Sequence, residues 1–501
     1  MNRARFALST LLFFAGCDGP PIIPTPDAGG DPDAGSPETD AGPLPTVDGG
    51  TDAGPLPAAL VRFLHVAPGT GIVSFHASGR LAAPDVYYRA ATPYRRVAPG
   101  EAVVSAVDES GAAIAESDSA TLEDGARYVA VLVDPPDGEP AITLAQETDP
   151  TTSEPLAVRV LNATDATLDV DVDGEGSEPD VPALESSAWS AWIGLREAGE
   201  LRPLVAAGEA EPFSITEPVQ PWVEASASAL LVLAGRPSDA LPSEPEGLSI
   251  LLVLEATEEA SPFFVLRPDP RLAILQASPD LAPAQVYAEP SSGGDRVDLA
   301  RSIGHGELLE ATMPPGRSYV GFVPEGELWG PQIGVDLLPG HRYLMVTRGD
   351  PGSWGDDRFG AAVVRDALEG DRFAVLHAAP DAPGLRFYEE ATAGTFTPLT
   401  QIAPLAYGER TAARGVELDA SRALALSRED HTEPHVWFEV PRSPGVRGFA
   451  VAAGSYFADP AARDGLAIFW VWAPARGAWT ATRSAALPGS GPLPGELPPE
   501  E

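Results

Sequence analysis

Cysteine occurs once in 501 residues, methionine three times and lysine not at all. A single thiol cannot close an intramolecular disulfide, and it leaves no paired-cysteine metal or redox motif. Without lysine there is no phosphate-binding Gly-Lys loop, and no Gly-x-Ser-x-Gly nucleophile elbow occurs either. Positive charge is scarce throughout: 32 basic residues, all arginine, stand against 73 acidic ones and leave a formal charge of −41. Affinity for nucleic acid comes from cationic contacts that release counterions, so nucleic acid is excluded as a partner. Electrostatic docking on anionic lipid is disfavoured for the same reason. What is abundant is punctuation, with 54 prolines and 50 glycines. That suits short strands joined by turns and argues against long helices. Apolar residues at 44% and charged residues at 21% are ordinary for globular proteins, and the length allows three to five domains of roughly 100 to 150 residues.

The one cysteine has a readable setting. Arg3 and Arg5 precede an apolar run over 6–15, followed by Gly16 and Cys17. This is the layout of a secretory signal, and the run is too short for the roughly 20 residues that span a bilayer. Phe14-Ala15-Gly16-Cys17 resembles the bacterial lipobox, which implies cleavage before Cys17 and acylation of that residue. The expectation is an exported protein lipid-anchored in the cell envelope, at the outer membrane or cell surface in preference to the inner membrane. Asp18 resembles an inner-membrane retention signal of enteric bacteria, so the membrane itself is left open. Residues 18–58 are Pro, Gly, Asp, Ala and Thr with Asp-Ala-Gly recurring at Asp27, Asp33, Asp40 and Asp52. Such a segment cannot build a core, and it reads as a disordered stalk of about 35 Å as a coil and about 120 Å fully extended. The tail 481–501 reads as disordered for the same reason.

Between stalk and tail one pattern returns four times: Leu64-His65-Val66-Ala67-Pro68, Leu161-Asn162-Ala163-Thr164-Asp165, Leu275-Gln276-Ala277-Ser278-Pro279-Asp280 and Leu376-His377-Ala378-Ala379-Pro380-Asp381. The polar second residues lie 97, 114 and 101 positions apart, a domain-sized spacing. A strand with period-two alternation follows each motif, at 72–76, 168–172, 284–287 and 385–388. Leu122-Glu123-Asp124-Gly125-Ala126-Arg127-Tyr128 and Leu337-Leu338-Pro339-Gly340-His341-Arg342-Tyr343 share a spacing that suits a tyrosine corner, in which the hydroxyl bonds the backbone upstream. The fold expected is all-β: tandem immunoglobulin-like Greek-key β-sandwiches over 59–150, 151–262, 268–368 and 369–480. Short linkers imply a semi-rigid, elongated array with small, polar contacts between modules.

The stretch Leu376-His377-Ala378-Ala379-Pro380-Asp381-Ala382-Pro383 with Leu385-Arg386-Phe387-Tyr388 resembles a bacterial family of extracellular domains of unknown function. Its members open with His-Ala-Ser-Pro-Asp-Ala-Pro and a Val-Asp-Val-Tyr strand. Modules one, three and four match well, and module two is diverged. The resemblance implies surface β-domains and carries no catalytic residues.

Site signals are few. His65, Asn162, Gln276 and His377 share one place in the four modules, either as a common ligand position or as caps of the turn that ends each strand. Asp169, Asp171, Asp173 and Asp180, with Gly174 at the sixth place, fit calcium-loop spacing at positions 1, 3, 5 and 12. Against this, the module puts the run on a strand, with Val170 and Val172 inward and Asp169 and Asp171 outward. His431-Thr432-Glu433-Pro434-His435 cannot be a zinc helix, because Pro434 would break it. The expected function is a non-catalytic surface platform, acting as adhesion or spacer element for an unknown surface protein or polysaccharide, with no cofactor except a calcium ion at those aspartates. The alternatives are a calcium-stiffened adhesion rod and a carbohydrate-active enzyme with dispersed acidic residues.

Overall fold

A computed structural model describes residues 57–487 apart from short stretches, the longest being 207–212, 216–226, 255–259, 352–358, 417–422, 441–446 and 456–461. Cys17, the stalk 18–56 and the tail from 488 lie outside the described residues. Every regular element among those described is a strand.

Each module is built the same way. In the first, Ala59–His65 runs parallel to Arg127–Val133, which pairs antiparallel with Ala141–Gln146. The short segments Ala90–Ala91 and Arg95–Val97 close the other edge of the first strand. The opposing sheet has the order Arg80–Val86, Val73–Ala77, Val104–Val107, Ala113–Glu116. The parallel pair of strands recurs as Leu156–Thr164 with Ser228–Gly235, Arg271–Leu275 with Arg342–Arg348, and Phe373–His377 with Gly448–Ala453. The second strand of every module lies in the opposite sheet, as Leu168–Asp171, Ala284–Pro290 and Leu385–Thr392. Four two-sheet sandwiches result, in a Greek-key order whose first strand is joined in parallel. Each has its own core between its sheets, such as Val61, Phe63, Phe75, Val104 and Leu132 in module one.

The tyrosine corners form as expected. The Tyr128 hydroxyl accepts a hydrogen bond from the Glu123 N–H at 2.9 Å and donates to the Thr121 carbonyl at 3.3 Å. In module three the Tyr343 hydroxyl accepts from the Leu338 N–H at 2.9 Å. The glycine in each corner is required: Gly125 and Gly340 have φ of 73° and 76°, a left-handed conformation that other residues enter at a cost.

The junctions differ from the sequence expectation. Phe263–Leu266, read as part of a linker, is the edge strand of module two, paired with Ser249–Leu254. The last strand of module four, Thr480–Ser484, runs past the expected boundary. The contacts between modules are apolar where small polar ones were expected. Leu64, Val66, Val129, Val131 and Val133 of module one pack against Leu161, Ala163, Leu230, Val232, Leu251 and Val253 of module two in one buried cluster. Modules three and four repeat the arrangement, with Leu275, Leu344 and Val346 against Leu376, Phe449, Val451 and Phe469. In both pairs the sheet holding the parallel strands presents its outer face to its neighbour. The physical reason is composition: Val-Ala-Val-Leu-Val over 129–133 and Ile-Phe-Trp-Val over 468–471 do not alternate, so both faces of the sheet are apolar. Each such side chain contributes about 1.5 to 3 kcal/mol when buried.

Phe469 is fully buried and stands edge-on to His305 of module three, with ring centroids 5.5 Å apart. Phe469→Ala should cost about 3 to 5 kcal/mol. Urea unfolding followed by tryptophan fluorescence should show modules three and four shifting together; a shift confined to one transition of two would mean that the pair does not unfold as a unit.

Candidate functional site

The polar position shared by the modules is fully buried in all four, and the side chains there are spent on their own turns. His65 Nε2 donates to the Gly71 carbonyl at 2.8 Å. Asn162 Nδ2 donates to the Ala166 and Leu184 carbonyls at 2.7 and 2.8 Å, and its Oδ1 accepts from the Thr164 N–H. Gln276 Nε2 donates to the Leu281 carbonyl at 2.9 Å, and His377 Nδ1 accepts from the Ala379 N–H at 3.3 Å. In modules one and four a tyrosine, Tyr88 or Tyr407, packs edge-on against the imidazole. Of the two readings of this position, turn closure accounts for the hydrogen bonds.

The four calcium-spaced aspartates do not act as one set. Asp171, Asp173 and Asp180 form the one group of three convergent potential metal ligands among the described residues, with carboxylate oxygens within 4.8 Å of one another. Asp169 stands apart, its Oδ1 accepting from the Ala183 N–H at 2.7 Å. Asp171, expected outside, is 5% exposed. Its Oδ1 accepts from the Gly174 N–H at 2.9 Å, while Asp180 Oδ2 accepts from the Val172 N–H at 2.8 Å. The run sits on the second strand, as the module plan requires, and the carboxylates close the turn after it. His431 and His435 face each other with centroids 5.0 Å apart on the turn before Val436–Glu439.

The two module pairs differ at one position of their interface. Three residues before the shared polar position, modules three and four carry Ala273 and Ala374, both inside the apolar cluster. Modules one and two carry Arg62 and Arg159 there. A guanidinium cannot enter a dry interface without partners, and the two sheets part into a cleft of about 150 Å3. Arg62 is held by Glu147 at 2.6 Å and donates across the pair to the Leu254 carbonyl at 3.3 Å. Glu147 also accepts from the Tyr94 hydroxyl. The Tyr94 ring lies within 5.5 Å of both Arg62 and Arg127, and Arg159 stacks over Trp189 at 4.8 Å. Burial lowers the Arg159 pKa, and the Trp189 Nε1 donor is buried with no hydrogen-bond partner. Trp192 completes the wall and reaches Thr148 of module one through Nε1 at 3.4 Å. Planar aromatic faces beside hydrogen-bonding charged groups suit a polar ligand with flat apolar surfaces, such as a sugar ring. Sequence spacing alone aligns Arg62 with Arg159 and with the two alanines; only the pairing of the sheets gives that alignment a meaning.

Burial also lowers the His65 pKa below 6.5, and its Nδ1 has no partner to stabilise a second proton. The unfolded chain therefore binds a proton that the fold resists. The stability contributed is full above about pH 6.5 and is lost as pH falls below it. His65→Gln, which copies Gln276, should flatten the fall in unfolding free energy between about pH 6.5 and 5. Parallel curves for variant and parent would overturn that assignment.

A family model described as a domain of unknown function (DUF4397) matches residues 59–173. The match spans the first sandwich and the first two strands of the second, Leu156–Thr164 and Leu168–Asp171. No curated protein matches the chain. Residues 59–173 are thus similar to an uncharacterised domain family, in a chain whose architecture is all-β and modular.

Proposed function

We propose that the chain is a cell-envelope lipoprotein, anchored through Cys17, that displays four paired sandwiches as a non-catalytic binding and spacer platform for a surface polysaccharide or protein. The observation that carries this reading is the contrast at one position of the two interfaces: Ala273 and Ala374 pack into the apolar cluster of one pair, whereas Arg62 and Arg159 line a cleft with Tyr94, Trp189 and Trp192 in the other. The residue position common to all modules is committed to turns, which leaves the cleft of the first pair as the place where this chain departs from its own repeating plan. Glu147, the carboxylate deepest in that contrast, is already bound to Arg62 and Tyr94, a role that suits ligand positioning better than proton transfer. In affinity electrophoresis against a panel of bacterial polysaccharides, retardation by a cognate polymer should be lost in Trp192→Ala. Retardation that survives the substitution would move the ligand elsewhere.

The anchor is tested separately. The mature protein should begin at an acylated Cys17 by mass spectrometry, and Cys17→Ala should move it from the membrane to the soluble fraction. A variant that stays with the membrane would refute the lipoprotein reading.

A second reading, a calcium-stiffened module two, is favoured by the convergence of Asp171, Asp173 and Asp180. It requires the melting temperature to rise in millimolar calcium relative to chelator, and to stop responding in Asp173→Asn. Identical melting in both conditions would dispose of it.

A further inference from the structure

Modules two, three and four border a second cleft, of about 230 Å3, where the turn around Leu241 meets the tyrosine corner of module three and Arg447, just before the strand Gly448–Ala453 of module four. One wall is apolar, formed by Leu241, Pro242 and Leu368. Another part of the lining carries His341, Arg342, Arg365 and Arg447. Two of these charged groups are placed by the fold for reasons of their own. Arg342 precedes the corner tyrosine and donates to the Pro474 carbonyl at 2.7 Å and the Gly477 carbonyl at 2.8 Å, bridging modules three and four. Arg447 occupies the matching place in module four and reciprocates, with Nη1 on the Leu368 carbonyl at 2.6 Å and Nη2 on Asp366 at 2.8 Å. Asp366 is thereby neutralised. Glu244, the other carboxylate of the lining, is exposed and accepts from the Leu241 N–H at 2.7 Å.

Arg365 has no such employment. It ends the strand Gly360–Arg365 and is exposed, and its side chain has no hydrogen bond or carboxylate partner among the described residues. Its field is felt by its neighbours: burial first, then Arg365 and Arg267, holds the His341 imidazole down to about 4, and Arg365 also lowers the pKa of Arg410 after burial. Positive charge therefore gathers at the lining of this cleft, in a chain whose formal charge is −41. His341 Nδ1 and Arg447 Nε, behind this surface, are buried without hydrogen-bond partners. A guanidinium takes a carboxylate in two parallel hydrogen bonds. An inorganic anion would satisfy that wall and leave Leu241, Pro242 and Leu368 wet, whereas an organic body covers them. The cleft is smaller than the roughly 300 Å3 at which drug-sized ligands begin to fit, so the ligand is the size of a monosaccharide or less.

We propose that this three-module cleft binds a small organic carboxylate, its oxygens on Arg365 and its body against Leu241, Pro242 and Leu368. The site is separate from the cleft between modules one and two, and it stands if that cleft binds nothing. The test is isothermal titration calorimetry of the full chain with sodium glucuronate, with glucose as the same body lacking the charge and inorganic phosphate as the charge lacking the body. Glucuronate should bind at least tenfold more tightly than either. Arg365→Gln should weaken it at least tenfold, while Arg317→Gln, an exposed arginine on the other sheet of module three, should not. Both arginines are exposed, and unchanged thermal melting confirms that each variant is folded. Binding should also weaken as salt rises from about 0.01 to 0.15 M, as the screening length falls from about 30 to 8 Å. No glucuronate binding, binding indifferent to Arg365→Gln, or equal affinity for glucose would each overturn the proposal. Phosphate binding as tightly as glucuronate would overturn the ligand class.

Discussion

Everything in the described part of the chain depends on one sheet in each module being apolar on both faces. The parallel pairing of the first strand with the long strand, as in Ala59–His65 with Arg127–Val133, puts two apolar runs side by side. Their inner faces are consumed by the sandwich core, with Val61, Phe63, Ala130 and Leu132 pointing inward. Their outer faces, Leu64, Val129, Val131 and Val133, cannot be left in water and are consumed by the next module. Module pairing is thus a continuation of core formation, and the boundary between domains is crossed by the same force that makes each domain.

Polar contacts then decide how the apolar faces register. Arg342 and Arg447 cap backbone carbonyls of each other's modules, and Arg236 with Asp134 does similar work between modules two and one, at 2.8 Å through Nε. The Arg447 and Asp366 side chains are only 8% and 4% exposed, so their pairing offsets a desolvation penalty that neither could carry alone. At Arg62 and Arg159 the charge stands in mid-strand, and the interface opens around it.

The strand plan was legible in the sequence because it rests on local chemistry. The His-Ala-Ala-Pro-like punctuation, the alternation of Val73, Phe75 and Ala77 against Ser74 and His76, and the Leu-x-x-Gly-x-x-Tyr corners each specify structure within a few residues. The burial of Asp171 was not legible, since alternation predicts an outward side chain and only the turn through Gly174 draws the carboxylate in. Nor was the pairing of modules, although its signal was present. Runs such as Ala-Leu-Leu-Val-Leu-Ala over 229–234 break period two, which marks a sheet covered on both sides. The clefts lay beyond reach, because Arg159 and Trp189, or Arg365 and Leu241, are brought together by contacts between elements far apart in the chain.

The double-faced sheet also limits how such a chain can change its length. A single additional module would bring one more apolar face than there are faces to cover it, and that uncovered sheet would invite association with any neighbour. Two additional modules would cover each other. An even number of such modules therefore leaves no outward face uncovered, a consequence of the outward side of strands such as Arg127–Val133 and Ala467–Trp472.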